Sequence, residues 1–142
     1  NVPYIVGMAE ALRLAQAERD HHINNLIPLR DGLIGGVLEE IPDTLLTGHP
    51  VHRLPNHASF VFDHVDGNSL LIHLDLAGFA CSSGSACKTG SPEPSSILTT
   101  LGLSRSWALG SLRVTLGSST TPEHVEALLD TLPAIVQSMR QN

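Results

Sequence analysis

Cationic charge is scarce in this sequence. Its 142 residues include a single lysine, Lys88, and seven arginines against 14 acidic residues, giving a formal net charge of −6 with histidines neutral. That balance leaves no basic stripe to follow a phosphate backbone and no polybasic segment to grip an anionic bilayer, which argues against nucleic acid and membrane partners. Aromatic residues make up only 4% of the chain, so any core has to be built from aliphatic side chains. No apolar run approaches the roughly 20 residues that a membrane span requires, and no basic-then-apolar leader opens the chain. Two cysteines, Cys81 and Cys87, are too few for a disulfide scaffold. Their six-residue separation on a Ser/Gly-rich stretch suits thiol chemistry in a reducing compartment, and a cytoplasmic location is expected.

The 42% of hydrophobic residues is enough for one domain with a true core. Apolar positions Ile5, Met8, Leu12 and Ala15 recur at helical spacing to about Ala17, behind Asn1 as a cap and Pro3 in the first turn. A second helical pattern runs through Ile23, Leu26, Leu29, Leu33 and Val37, with Pro28 predicting a break or kink. Short strands are expected over 44–47 and 58–63, bounded by Pro, Gly, Asn and Asp. A helix follows, capped by Asp66 and closed by Gly78. A brief strand over 79–81 then leads into the cysteine-bearing loop, and a short helix ends at Gly102. In "GSLRVTLG" the apolar Leu112, Val114 and Leu116 alternate with Arg113 and Thr115, the period-two signature of a half-buried strand. "TTPEHVE" opens a final helix with a threonine cap. The expected fold is α+β, a small sheet of about three strands covered by helices.

The chemistry-bearing stretch is "ACSSGSACKTGSPEP", from Ala80 to Pro94, which holds both cysteines and the lysine. A nucleophile on so loosely constrained a backbone suits a thiol that has to move, and the loop over about 82–92 is expected to be more mobile than its flanks. Arg113 stands alone among apolar neighbours, and a strand arginine with no acidic residue nearby in sequence invites an anionic partner. Histidines 49, 52 and 57 in "GHPVHRLPNH" have loose metal-like spacing, but a proline-rich connection without a fixed carboxylate or cysteine is a poor zinc site, and no metal is expected. His21 and His22 read as solvated, His73 as facing either the core or solvent and packed rather than catalytic, and Trp107 as a packing anchor.

"SSGSAC", followed by "SPEPS" and "GSLRVTLGSSTTPEHVE" and preceded by "HRLPNHASFVF" and "GNSLLIHLDLAGFACSSG", resembles the C-terminal part of the cysteine desulfurases that supply sulfur for iron–sulfur clusters. These are pyridoxal-phosphate-dependent members of the class V aminotransferase family, and the likeness covers essentially the whole chain. The resemblance implies the small C-terminal domain of a fold-type I enzyme. It makes Cys87 the nucleophile that takes sulfur from L-cysteine as a persulfide, leaving L-alanine, and it makes Arg113 the residue that binds the substrate carboxylate. Cys81 then reads as a packed small side chain, and Lys88 as a neighbour that favours the Cys87 thiolate or simply as a solvated lysine. It further implies pyridoxal phosphate held on a lysine of a large domain of the same polypeptide, a homodimer, and a sulfur-acceptor or iron–sulfur scaffold protein as partner. Because Lys88 lies outside any cofactor-lysine motif, no cofactor-binding residue is expected in these 142 residues, and the chain alone is expected to be inactive. Its start inside a helical pattern reads as a piece of a longer polypeptide. Residues 1–20 would form a helix connecting to the large domain, with 21–142 as the small domain. The alternative reading is a stand-alone, non-catalytic persulfide carrier or partner-docking module. In "LGSSTT" the sequence departs from the many relatives with an arginine after the glycine, which bears on partner identity.

Overall fold

The computed structural model describes residues 1–84 and 93–141. Helix α1 (Val2–Glu40) is followed by strands β1 (Thr44–Leu46) and β2 (His57–Phe62), helices α2 (Gly67–Leu76), α3 (Ser96–Thr100) and α4 (Arg105–Leu109), strand β3 (Ser111–Thr115) and helix α5 (Pro122–Arg140). The three strands form one antiparallel sheet in the order β1-β2-β3, so the α+β expectation holds.

Strand register sorts the side chains into two faces. Ala58 pairs with Val114 and Phe60 with Leu112, and all four are buried in the main core. Facing pairs in an antiparallel ladder share a face, so Ser59 with Arg113 and His57 with Thr115 lie on the opposite one. Val61, paired with Ser111, belongs to that second face but is fully buried. It sits in a smaller apolar cluster with Leu98 of α3 and Ala108 of α4, against which Leu103 and Trp107 pack. The outer face is therefore roofed at the Val61 end and open at the Arg113 end.

The core face is closed by helices. Leu26, Leu33 and Val37 of α1, at spacings of seven and four, face Val125, Leu128, Leu132 and Val136 of α5 in the same cluster. Leu70 and Leu74 of α2 complete it. Asp66 caps α2, its carboxylate accepting from the Ser69 amide at 2.7 Å. Gly78 and Gly102 each end a helical turn in the left-handed region, at φ of 90° for both, where residues with a Cβ are strained. Thr121 caps α5 in a capping box whose return partner is His124 rather than a glutamate. Arg140 fastens the far end of α5 to the β1–β2 corner by donating to the carbonyls of Asp63, Pro42 and Asp43 at 2.9–3.0 Å.

Three expectations are corrected. The two helices expected before β1 are a single 39-residue helix that runs through Pro28. Pro28 removes one N–H and leaves the Asn24 carbonyl without its helical donor, but the flanking Leu26, Arg30 and Leu33 are buried and hold the turns on either side. No strand forms over 79–81. The chain makes only one bridge, at Ser82, to Arg113. The five-residue helix α4, too short to show a period, has no counterpart in the sequence reading.

The first half of α1 is the part that contributes nothing to this core. Residues 1–21 are all exposed, and Tyr4, Met8 and Leu12 are 77%, 71% and 69% accessible. An isolated helical stretch of this length is marginal in water. Deleting residues 1–20 is accordingly expected to leave the urea unfolding midpoint of the remainder unchanged, and amide exchange over 2–20 should be much faster than over 26–37. Phe60→Ala, which removes a fully buried ring from the sheet's core face, should cost about 3–5 kcal/mol, measured by urea denaturation followed through Trp107 fluorescence.

Candidate active-site segment around Arg113

Arg113 owes its position to the strand on either side of it. Leu112 and Val114 turn into the main core, so alternation sends Arg113 to the outer face, where it is half-buried. On one side β2 pairs with it through Ser59. On the other, Ser82 closes a narrow two-bond pair: the Arg113 amide donates to the Ser82 carbonyl at 2.6 Å, and the Arg113 carbonyl accepts from the Ser82 amide at 3.1 Å. The Ser82 Oγ also accepts from Arg113 Nη2 at 3.0 Å. Two residues on, the Gly84 amide donates to Oγ of the buried Ser111 at 3.0 Å, which ties the segment to the start of β3. That start requires Gly110, whose carbonyl accepts from the Phe62 amide and where a Cβ would collide with the Phe62 carbonyl oxygen.

The arginines nearby are used differently. Arg53 donates to the carbonyls of His49, Thr47 and His57. Arg30, buried in α1, is held by Asp31 at 2.7 Å and by the Leu54 carbonyl at 3.0 Å. Among the described residues, no carboxylate comes within ion-pair distance of Arg113. Among those residues its side chain is met by a serine hydroxyl. A guanidinium fork in that condition is equipped to take a carboxylate or another small oxyanion.

Two open clefts meet at this residue. One, of about 390 Å³, runs between the 48–57 connection and α3, and its lining includes His49, His52, Ile97 and Leu101. The other, of about 430 Å³, extends along the Ser82 side to Cys81 and Asn56. Leu54, His57 and Arg113 line both. Burial and the charges of Arg113 and Arg53 hold the His57 pKa below its ordinary value, so the ring is neutral near neutral pH.

Cys81 is half-buried and packs against the main core, and burial pushes its thiol pKa up. Cys87 and Lys88 lie outside the described residues, as does most of the 82–92 loop whose mobility the sequence predicts. Its described beginning, Ser82–Gly84, is fixed by the bonds above. His49, His52 and His57 line one cleft, but among the described residues no three histidine, cysteine or acidic side chains converge as metal ligands. His49 Nδ1 instead accepts the amides of Val51 and His52. Of the two placements open to His73, core or solvent, the structure has solvent: the side chain is exposed with its Nδ1 at 2.8 Å from the Ser69 carbonyl. Ser82 and the placement of His57 escaped the sequence reading. The alternation His57, Ser59 against Arg113, Thr115 was the available signal for His57, whereas nothing local marks Ser82 as the partner of Arg113.

The described geometry is an outward-facing arginine on a small three-stranded sheet, bridged by Ser82 from the segment that precedes residues 85–92. Comparison with known proteins agrees with the resemblance that the motifs carry. Residues 1–128 match the family described as aminotransferase class-V, and the chain belongs to that family. It is 45% identical over 140 residues to the cysteine desulfurase IscS of Methanosarcina thermophila, covering 99% of this chain and 34% of that protein. To the cysteine desulfurase NifS of Azotobacter vinelandii it is 35% identical, again over 99% of this chain and 35% of the relative. A solved structure described as a NifS-like protein superposes with a TM-score of 0.82 at 26% identity, covering 97% of this chain and 34% of the other. The chain thus spans about a third of the length of the curated relatives it matches.

The raised Cys81 pKa gives a direct expectation. Less thiolate is present at neutral pH than in a free cysteine, so in a Cys87→Ser chain the remaining thiol should react with iodoacetamide more slowly than glutathione does. Unfolding in urea should abolish the difference.

Proposed function

We propose that this chain is the C-terminal portion of a pyridoxal-phosphate-dependent cysteine desulfurase, with Cys87 as the sulfur-accepting nucleophile and Arg113 as the anchor for the substrate carboxylate. The observation that carries the reading is the position of Arg113: its guanidinium has no carboxylate partner among the described residues, and its own backbone is paired to the segment that leads to Cys87. Similarity to proteins named cysteine desulfurase over 99% of the chain supports the reaction class.

The chemistry follows from those two residues. Arg113 fixes L-cysteine by its carboxylate, and a bidentate fork also sets the direction of the rest of the molecule. The Cys87 thiolate attacks the substrate sulfur, so that an S–S bond forms as the substrate's C–S bond breaks. The electron pair of that bond leaves on carbon, and protonation there yields alanine. The sulfur remains on Cys87 as a persulfide for delivery to an acceptor protein of an iron–sulfur or other sulfur-transfer pathway. The electron sink for the carbon side is pyridoxal phosphate held outside these residues, because Lys88 is the chain's only lysine and no described residue offers a Schiff-base amine. The exposed apolar stripe of Tyr4, Met8 and Leu12 on α1 fits the same reading, as the face that a large domain of the same polypeptide covers. In such a protein, residues 1–20 link the two domains, 21–142 form the small one, and the assembled enzyme works as a homodimer.

In the chain joined to its lysine-bearing portion, Cys87→Ser should abolish alanine and sulfide production while the cofactor's absorbance is retained. Arg113→Ala should raise KM for cysteine by about ten- to a hundredfold, the loss of a charge-assisted contact of roughly 1.5–3 kcal/mol. Cys81→Ala should keep most activity. The 142-residue chain mixed with pyridoxal phosphate should produce no alanine. Turnover retained in Cys87→Ser but lost in Cys81→Ser would move the nucleophile six residues upstream.

A further inference from the structure

Among the described residues, His57 is the one titratable side chain that shares both clefts with Arg113. It stands two residues from Ser59, the cross-strand partner of Arg113, and on the same face of the sheet. Among the described residues its ring nitrogens make no hydrogen bond. Its non-ladder bonds are backbone ones, the amide donating to Leu54 and the carbonyl accepting from Arg53, both at 3.4 Å. The ring therefore keeps both nitrogens for whatever enters the cleft.

We propose that His57 and Arg113 together form a proton-linked carboxylate site, in which His57 takes up a proton as the anion binds and gives it a second charge-assisted hydrogen bond. The inference rests on the reading of Arg113 as a carboxylate anchor, which by itself requires only the guanidinium. It adds a second, pH-dependent partner.

The charges that face His57 explain the coupling. In the empty cleft a protonated imidazole is partly desolvated and lies near the guanidinium groups of Arg113 and Arg53, which keeps it neutral. The charge of Arg30 behind Arg53 is already paired with Asp31, and the Cys81 thiol is held neutral by burial. His49 and His52 line the far side of the larger cleft only. An anion seated on Arg113 offsets the repulsion from that residue, so anion binding raises the affinity of His57 for a proton. By linkage, protonation raises the affinity for the anion by the same factor. The sign is fixed: above the His57 midpoint Arg113 binds alone, and binding tightens as the pH falls through it.

The test uses the 142-residue chain with formate as probe at constant ionic strength, read by NMR at the Arg113 Nε–H and at the His57 ring. Formate should shift both signals, raise the His57 midpoint, and bind about threefold more tightly below that midpoint than above it, the size of a partly exposed charge pair. In His57→Gln the Arg113 response should remain while its pH dependence disappears. Arg113→Gln should abolish binding and raise the His57 midpoint in the absence of formate. Binding that moves Arg113 but is independent of pH and unaltered in His57→Gln overturns the inference and leaves Arg113 as an anchor. No response at Arg113 removes the anchor and the inference together. If His57→Gln fails to fold, the midpoint of His57 in the unaltered chain, with and without formate, decides by itself.

Discussion

The site depends on the strict alternation of a single short strand. Leu112 and Val114 must be buried for β3 to hold its place against β2, and that requirement fixes Arg113 on the opposite face. A one-residue slip of β3 would exchange the faces, placing a guanidinium in an aliphatic core and two apolar side chains in the cleft, at a cost far above the stability of a domain this size. Core packing and the outward placement of Arg113 are thus set by the same five residues. The position of the arginine is as well determined as the core itself.

Around that strand, the protein supports the outer face unevenly. At one end α3 and α4 cover Val61 with Leu98 and Ala108, forming a dry cluster that anchors the return into β3. At the other end the sheet is left open between the 48–57 connection and the Ser82 bridge. The 48–57 connection keeps its shape through Arg53, whose guanidinium serves the carbonyls of a turn that has little secondary structure of its own. Arg53 thus serves backbone carbonyls, whereas Arg113, close by, has no carboxylate partner among the described residues. The two guanidinium groups, with burial, also disfavour a charged His57.

The relation of chain to core is equally uneven. From Leu26 onward α1 follows the familiar amphipathic pattern and packs along α5, with Arg30 as its one buried ion, held by Asp31. Over residues 1–21 the helix is exposed throughout, apolar Tyr4, Met8 and Leu12 included.

The sequence by itself determined the class of fold and the face of each strand. Period-two alternation in "SLRVTL" and the short "ASFVF" run encode which residues are buried, because burial of one face of a pleated strand is a local rule. Capping signals did the same for α2 and α5. The motif order around "SSGSAC" carried the family, as chemistry tied to residue type rather than to position. The continuity of α1 through Pro28 was decided by tertiary packing, since the proline's local penalty is outweighed by contacts to a helix some hundred residues further along the chain. So was the single bridge at Ser82, which depends on where an irregular segment crosses the edge of β3. The meeting of His57 with Arg113 is of the same kind: neighbours across a ladder are set by register, and register is a property of two strands together that neither sequence states alone.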